Sequence, residues 1–503
     1  MPAGFGAKRR ASPFRENPVP HSVLRSLLLG ASILAPLSAL ATPSLLAIGS
    51  LSGSSAGSGV DLSGLTGPLE NGQAGNILGG MGSGLAWAGG NTFLAVPDRG
   101  PNAVSYNAAV DDTTSYISRF HTVSMALTAN PVGSSLGFSL TPTLTATTLL
   151  SSPAALTYGT GAGLGNKADG TPLGSGAPTN NAAGLNYFTG RSDNYGPGNS
   201  GTAGNARFDP EGIRVSTDGR SVFVSDEYGP YVRQFDRATG SLLKTFTLPA
   251  NLNVANLSPS GATEISGNTA GRTANKGMEG LAITPDGKTL VGIMQAALIQ
   301  DAAVTASKNM VRIVTIDIAT GATKEYAYLL TTGTGVSEIT AINDHEFLVD
   351  ERDGKGLGDG TAAKAKTLFK IDLAGATDVT GLTSAQAAAA AVRKTSFVDL
   401  VALFTANGIA TTQIPSKIEG LAFGDDLVVN GTLTHTLWIA NDNDFVPSTS
   451  GPNNFYVLGV TDADLGGSVF QAQAIAQAVP EPGTIALMAT GLLGMLGLRR
   501  RRS

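Results

Sequence analysis

Acidic residues recur beside glycine in this chain, each time at the start of a short apolar segment. The clearest case is Asp209-Pro210-Glu211-Gly212-Ile213, followed by the turn dipeptide Asp218-Gly219 and then by Ser225-Asp226-Glu227-Tyr228. Apolar and polar residues alternate around the turn, which predicts two antiparallel strands. Because the strands are antiparallel, Glu211 and Asp226 are expected at the same end of the hairpin.

The same unit occurs four more times in imperfect form. In chain order the copies contain Ser83-Gly84-Leu85 with Asp98-Arg99, Glu279-Gly280-Leu281, Ser337-Glu338-Ile339 with Asp350-Glu351-Arg352, and Glu419-Gly420-Leu421 with Asp442. Five copies indicate a repeat protein, and many short strands with glycine-rich turns predict an all-β fold. One unit carries Met294-Gln295 where others have an acidic residue, so a carboxylate is missing there.

A ring of such units is a β-propeller, whose innermost strands line a central channel. We predict about six blades, with seven as the alternative, because the segment between Phe120 and Phe208 has room for one blade more. A short helical insertion is predicted near residues 384–407, where Thr383 or Ser384 could cap the helix and Gly408 end it.

The ring brings the acidic strand ends to one mouth of the channel. The predicted metal ligands are Glu211, Asp226, Glu279, Glu419, Asp350 and Asp442. The predicted catalytic residues are Glu211, Asp226, Glu227, Arg99 and Arg352, the two arginines orienting an anion. Clustered carboxylates repel one another unless they are protonated or paired with cations. The alternative for each acid is structural, because propeller blades use Asp and Glu to tie turns and backbone amides.

The composition restricts the chemistry further. The chain has no cysteine, which excludes thiol nucleophiles, disulfides and thiolate metal sites, and its four histidines lack metal-ligand spacing. Ligands that are all oxygen favour Ca²⁺ or Mg²⁺ over zinc or copper. The net charge of −5 shows no nucleic-acid footprint, and we expect a monomer.

The two ends of the chain look like targeting segments. Residues 1–41 have a basic region, an apolar run and a small-residue cleavage site, which predicts a signal peptide. Residues 42–80 are expected to be a flexible Gly/Ser-rich lead-in, and residues 81–470 the propeller.

The remaining segment, 471–503, resembles the PEP-CTERM sorting signal. It contains Pro480-Glu481-Pro482, an apolar run over 484–498 that would form a short transmembrane helix, and four arginines. The resemblance implies export to the cell envelope or beyond, transient retention in the inner membrane, and processing by an exosortase. A plain C-terminal anchor is the alternative.

The acidic motifs as a set resemble the phytase-like family, also described as having esterase-like activity of phytase. The residues that carry the resemblance are Asp209-Pro210-Glu211-Gly212-Ile213, Ser225-Asp226-Glu227-Tyr228-Gly229-Pro230, the Glu-Gly-Leu repeats and Pro97-Asp98-Arg99-Gly100-Pro101. The resemblance implies a propeller and, by analogy with β-propeller phytases, Ca²⁺-dependent hydrolysis of a small phosphorylated or ester substrate. The alternative is a non-catalytic propeller that binds extracellular polysaccharide or protein.

Overall fold

The computed structural model describes residues 42–51, 59–105, 107, 109, 113–159, 174–191, 198–229 and 231–476. The predicted signal peptide and almost all of the predicted sorting tail, from residue 477 onward, lie outside these ranges.

The described chain is mostly β-strand. The first strands are β1 (Ser44–Leu51), β2 (Gly84–Trp87), β3 (Thr92–Val96), β4 (Arg119–Ala129), β5 (Phe138–Leu149), β6 (Ser151–Ser152) and β7 (Asn186–Tyr187). They are followed by β8 (Pro210–Val215), β9 (Ser221–Asp226), β10 (Tyr231–Asp236), β11 (Leu242–Thr247), β12 (Met278–Ile283), β13 (Thr289–Met294), β14 (Met310–Asp317) and β15 (Thr323–Leu329). The last are β16 (Gly335–Ala341), β17 (Glu346–Arg352), β18 (Lys366–Asp372), β19 (Lys394–Asp399), β20 (Ile418–Phe423), β21 (Leu427–Val429), β22 (Thr432–Asn441) and β23 (Asn453–Val460).

The helices are short. They are α1 (Gly261–Gly267), α2 (Ile299–Ala302), α3 (Ser384–Ala389), α4 (Leu400–Ala406) and α5 (Pro447–Ser450), with single 3₁₀ turns at Ala250–Leu252 and Thr305–Ser307. No helix of the described residues is long and apolar enough to cross a membrane.

Five antiparallel sheets form the blades, and the prediction of a β-propeller is confirmed. Blades one to four are β2–β5, β8–β11, β12–β15 and β16–β19, each in sequence order from the channel outward. Blade five is β20, β22, β23 and β1, with β21 attached to β22. The innermost strands β2, β8, β12, β16 and β20 contact one another in that order, and β20 returns to β2, so five blades close the ring.

The N-terminal strand β1 completes blade five by pairing with β23, from Ser44 opposite Gly459 to Leu51 opposite Asn453. The segment 44–51 is therefore part of the propeller, where the sequence analysis placed a flexible lead-in. Its alternation of apolar residues lets Leu45 and Leu46 pack into the two cores on either side of the blade. The first and last described strands thus join within one sheet.

The sixth blade expected between Phe120 and Phe208 is not formed by the described residues. Instead β5 is a twelve-residue strand that pairs along the whole of β4 and becomes the outer strand of blade one. The described residues of the following segment form the two-stranded sheet of β6 and β7 and several isolated bridges. The prediction of about six blades is therefore one too many for the described chain, because the described residues here build one long outer strand and a small two-stranded sheet.

The helical insertion near 384–407 is two helices separated by a strand. Thr383 caps α3 through a capping box with Gln386, and Asp399 caps α4. Between them, β19 pairs with β18 and is the outer strand of blade four. Pairing with an open sheet edge here overrides the continuous helical pattern that the sequence indicates. Gly408, at φ +83°, follows the end of α4 as predicted.

The innermost strands approach one another at glycines. A Cβ atom on Gly212 would lie 2.6 Å from Leu281, and one on Gly280 would lie 2.8 Å from Glu338. A Cβ on Gly420 would lie 2.9 Å from Leu85. The glycine of the Glu-Gly motif is therefore a packing requirement, because any side chain there would push neighbouring blades apart.

Arg214 crosses the channel below this ring of glycines. Its guanidinium donates to the carbonyl oxygens of Leu85, Ile339 and Leu421 at 2.6, 2.8 and 3.2 Å, and lies 3.1 Å from the Glu338 carboxylate. Glu338 in turn accepts from the Leu281 amide at 2.8 Å. One buried ion pair therefore makes hydrogen bonds to all five innermost strands.

Replacing Arg214 by methionine should destabilise the whole propeller. Glu338 is fully buried, and removing its partner leaves an unpaired buried charge and takes a donor from four carbonyl oxygens, which costs about 3–5 kcal/mol. We expect this loss in urea unfolding. Arg220→Met, at an exposed turn, is the control and should change little. Since the two members act as a pair, Arg214→Met combined with Glu338→Gln should cost less than the sum of the single changes; full additivity would contradict this role.

Candidate metal and anion site

One mouth of the channel opens into a charged cavity of about 240 Å³. Its charged and amide side chains come from all five blades and are Asp98, Arg99, Glu211, Glu227, Asn275, Lys276, Glu279, Gln295, Arg352, Lys417 and Glu419. Asp209, Asp442 and Asp444 lie beside them. Eight carboxylates thus face four cationic side chains in one place.

A β-bulge at the start of each acidic inner strand directs the carboxylates into the mouth. The strand register shifts between Pro210 and Ile213, around Glu211, and between Met278 and Gly280, at Glu279. It shifts again between Ile418 and Leu421, around Glu419. A bulge adds one residue to one strand and re-aims its side chain. The Glu-Gly motif therefore encodes both an inward carboxylate and the close strand packing beside it.

The fourth blade has the same bulge, but the bulged residue is not its glutamate. It is the residue before the glutamate. Here the shift lies between Val336 and Glu338, so Ser337 occupies the position of the other glutamates. Glu338 occupies the glycine position and pairs with Arg214 inside the channel. Ser337 instead accepts a hydrogen bond from the Arg352 Nε. The fourth unit thus contributes an arginine, held by a serine, where the others contribute a carboxylate.

Three carboxylates converge on one side of the mouth, which we call triad A. They are Asp209, Glu211 and Glu227, each with an oxygen within 4.8 Å of the others. Asp209 accepts from the Arg99 amide at 2.9 Å and pairs with its guanidinium at 3.2 Å. Glu227 accepts from the Gly277 amide at 2.9 Å. Glu211 is 6% exposed and has neither a hydrogen-bond donor nor an ion-pair partner among the described residues.

A second group, triad B, is Asp98, Asp442 and Asp444. Lys417 lies within it, with its Nζ 2.7 Å from Asp442 and 2.5 Å from Asp444. An ammonium group therefore already lies within this triad and offsets part of its charge. In triad A the guanidinium of Arg99 pairs with Asp209, and Glu211 has no ion-pair partner among the described residues.

Arg352 lies between two of the inward glutamates. Its guanidinium pairs with Glu419 and lies 3.9 Å from Glu279. Gln295, which replaces a carboxylate in the third unit, donates to the Glu279 Oε1 at 2.8 Å. The Oε2 atom of Glu279 is buried without a hydrogen bond in the described structure. One oxygen of Glu279 is thus fixed and the other is available inside the mouth.

The mouth raises the pKa of its carboxyl groups. Burial, with the neighbouring Glu279 carboxylate, raises the pKa of Glu227 to about 8, and burial with Glu419 raises the pKa of Glu279 to about 8. Burial and the carboxylates of Glu279 and Asp209 hold the pKa of Glu211 well above its usual value. Burial raises the pKa of Glu419 to about 7 although Arg352 opposes it. The empty mouth therefore retains protons near neutral pH.

Two of the predicted ligands lie away from the cavity wall. Asp226 accepts from the amides of Tyr228 and Asp209 at 3.1 and 3.2 Å and forms an ion pair with Arg233, so it fixes the loop that carries triad A. Asp350 is fully buried behind Arg352, and neither of its oxygens has a hydrogen bond. Its pKa is raised to about 7 by burial, while Arg352 and Lys366 oppose the shift.

All the other predicted site residues meet at this mouth. They are Arg99, Glu211, Glu227, Glu279, Arg352 and Glu419 in the cavity wall and Asp442 in triad B. The sequence analysis did not select Asp209, although it begins the motif that contains Glu211. The motif itself could have indicated Asp209, because an Asp and a Glu two residues apart at a bulged strand end can lie close together.

Comparison with known proteins agrees with these motifs. A phytase-like family model, described as esterase-like activity of phytase, matches residues 76–445. The chain belongs to the phytase-like family. A PEP-CTERM protein-sorting motif matches residues 478–502, which confirms the resemblance to that sorting signal. The family match covers the inner strands of all five blades and both triads.

A relative in Arthroderma benhamiae, an uncharacterized secreted protein, is 29% identical over 316 residues, which are 54% of this chain and 54% of that protein. The chain thus matches about half the length of this curated relative. The sorting motif and the secreted relative support export of the chain.

Among solved structures, Kuenenia stuttgartiensis hydrazine synthase is 12% identical with a TM-score of 0.29, covering 74% of this chain and 81% of that one. Aldose sugar dehydrogenase of Streptomyces coelicolor is 11% identical with a TM-score of 0.28, covering 80% and 84%. Scores this low carry no argument about function.

The raised pKa values predict how the calcium-free protein responds to pH. Glu227 and Glu279 bind their protons more tightly in the folded chain than in the unfolded chain. Between about pH 4.5 and 8 the folded state therefore holds more protons, and the free energy of unfolding falls as pH rises. We expect the melting temperature in chelator to fall from pH 5.5 to 8, and Glu279→Gln to reduce the slope. A melting temperature that is flat or rises over this range would contradict the assignment.

Proposed function

We propose that the chain is an exported hydrolase of the phytase-like family that cleaves phosphoesters at the acidic mouth with the help of Ca²⁺. The observation that carries the proposal is triad A, whose central carboxylate Glu211 is buried with no cationic partner among the described residues. Carboxylic ester hydrolysis at the same mouth is the closest variant of this function.

The donor set of triad A fits calcium. Asp209, Glu211 and Glu227 offer only carboxylate oxygens, which are the ligands that hard cations prefer. Triad B fits less well, because Lys417 already occupies it. A calcium ion bound at triad A would polarise a phosphoryl oxygen and offset part of its charge.

The cationic wall of the mouth suits an anionic substrate. Arg352 is 12% exposed at its side chain and lines the cavity, with its Nε on Ser337 and one terminal nitrogen on Glu419. These two contacts fix the plane of the guanidinium, so it would orient a phosphate oxygen without first losing side-chain freedom. Lys276 is exposed at the rim and adds a second positive charge.

Glu279 is the candidate proton donor. Its pKa is about 8, so the group carries a proton at neutral pH, and its Oε2 is the oxygen that makes no hydrogen bond in the described structure. The proton is therefore placed on a free atom inside the mouth, near Arg352. Donation of this proton to the leaving oxygen of the ester is the acid step that this arrangement supports.

Calcium binding is tested by melting the protein across a calcium titration. The wild type should gain about 2.7 kcal/mol when free calcium reaches a hundred times its dissociation constant. Glu211→Gln removes one ligand and should weaken the apparent affinity by about tenfold or more. Glu325→Gln is the matched control, because Glu325 is buried and pairs with Arg312 in blade three at 3.6 Å. Loss of the calcium effect in the control, or no calcium effect in the wild type, would remove calcium from the proposal.

Hydrolysis is tested on a phosphomonoester and a carboxylic ester, each with calcium and with chelator. We expect turnover of the phosphomonoester that the chelator abolishes. Glu279→Gln should lower kcat by about 100-fold, because it removes the proton donor and leaves the wall charges in place. Turnover of neither substrate would exclude the hydrolase.

A second candidate function is binding of an extracellular polysaccharide without catalysis. A groove of about 450 Å³ at the edge of blades three and four favours it, since threonine hydroxyls line it beside the ring of Tyr326. Gln295, in place of a carboxylate at the mouth, also fits a non-catalytic role. Absence of turnover, together with polysaccharide binding that Tyr326→Ala weakens and Glu211→Gln leaves unchanged, would favour this function.

A further inference from the structure

The last described residues form a strap across the propeller, which we define as residues 468–476. The strap begins beside blade four, where Asn343 Nδ2 donates to the Val469 carbonyl at 3.1 Å and the Gln471 amide donates to Ile342 O at 2.9 Å. It ends at blade two, where the Gln473 Nε2 donates to the Val215 carbonyl at 2.7 Å. The Ala476 amide then donates to Thr217 O at 2.8 Å.

These contacts all lie at the end of the channel opposite the acidic mouth. Strand β8 starts near Glu211 in the mouth and ends at Val215, which the strap contacts. Strand β20 likewise starts near Glu419 and ends at Phe423, whose ring lies 4.7 Å from that of Phe470. The strap therefore covers the far ends of the inner strands.

The strap lies across this second end of the channel, and we call the end that it covers the closed face. A cavity of about 40 Å³ lies there, lined by Arg214, Phe423, Phe470, Gln471 and Gln473 among others. The side chain of Phe470 also lies against the His435 ring, with centroids 4.2 Å apart. Ile475 packs against the core between blades one and two. At Ala476, the last described residue, the chain is therefore still held against the closed face of the propeller.

The sorting motif follows almost directly. The residues between the strap and the apolar run at 484–498 are 477–483, and seven residues span at most about 25 Å. A six-residue strand such as β8 alone is about 20 Å long. To bring the acidic mouth to the membrane, this short linker would have to pass around the outside of a blade as well as along its height. Its length does not allow that.

We propose that, while the tail is in the membrane, the closed face of the propeller is turned toward the lipid surface and the acidic mouth is turned away from it. The inference rests on the proposed export and on the membrane retention that the sorting motif implies. It refines the proposed function, because a mouth that faces away from the bilayer takes water-soluble phosphoesters and not phospholipid headgroups.

The orientation is measured by energy transfer to labelled lipid headgroups. The chain has no cysteine, so single cysteines at the two ends of one strand carry unique donor dyes. Thr273→Cys lies at the mouth end of β12, and Lys288→Cys lies in the turn at its other end; both positions are exposed. The full-length protein is reconstituted into phosphatidylethanolamine–phosphatidylglycerol liposomes that contain a headgroup acceptor.

We expect transfer from the dye at position 288 to exceed transfer from position 273 by at least about twofold, since a strand length separates the two dyes. A flexible insert of twenty Gly/Ser residues after Ala476 should bring the ratio close to one. Equal transfer, the reverse order, or an unchanged ratio with the insert would overturn the proposal. No transfer from either dye would also overturn it, because the tail would then not hold the protein at the bilayer.

These outcomes are independent of catalysis. A chain that hydrolyses the phosphomonoester but shows equal transfer from both positions retains the proposed function and loses the orientation. A chain with the expected transfer and no turnover retains the orientation and loses the proposed hydrolase.

Discussion

The ion pair of Arg214 and Glu338 connects the five blades at their common axis. In a propeller each blade packs mainly on its two neighbours, so few contacts involve more than two blades at once. Here one guanidinium reaches the backbone of three other inner strands, and its partner carboxylate reaches the last. Burying these charges costs free energy that the surrounding hydrogen bonds must offset. The geometry of the mouth directly above depends on this arrangement, since the same strands carry its carboxylates.

Close strand packing and an excess of negative charge have the same structural origin. Glycine lets neighbouring inner strands approach, and the adjacent bulge turns a glutamate into the channel. Repetition around the ring therefore concentrates carboxylates in a small volume where water cannot fully solvate them. Arg352 and Lys417 neutralise part of the charge, and raised pKa values account for more of it. Triad A is where the compensation by protein groups is least complete.

The repeat motif made the propeller and its mouth predictable from the sequence. Glu211, Glu279 and Glu419 could be placed together because each precedes a glycine at the start of an inner strand. The position of Glu338 could not be predicted, because this residue follows the bulge instead of forming it. Only the backbone pairing shows this. Asp226 was predicted to be a metal ligand because its own motif does not indicate that it pairs with Arg233 on the next strand.

Blade number was harder to predict, because it depends on pairing between distant segments. The outer strand of blade five comes from residues 44–51, and composition alone suggested a linker there. The strap was also invisible in the sequence, since residues 468–476 have no motif and make their contacts with the ends of strands far away in the chain.

The central claim is that uncompensated carboxylates in the mouth bind a divalent cation in exchange for protons. Calorimetric titration of the full-length protein with calcium at pH 7, in two buffers of different ionisation enthalpy, measures both binding and proton release. We expect saturable binding with protons released to the buffer, because the ligand Glu227, whose pKa burial raises to about 8, loses its proton when the cation binds. Absence of binding, or binding without proton release, would contradict it.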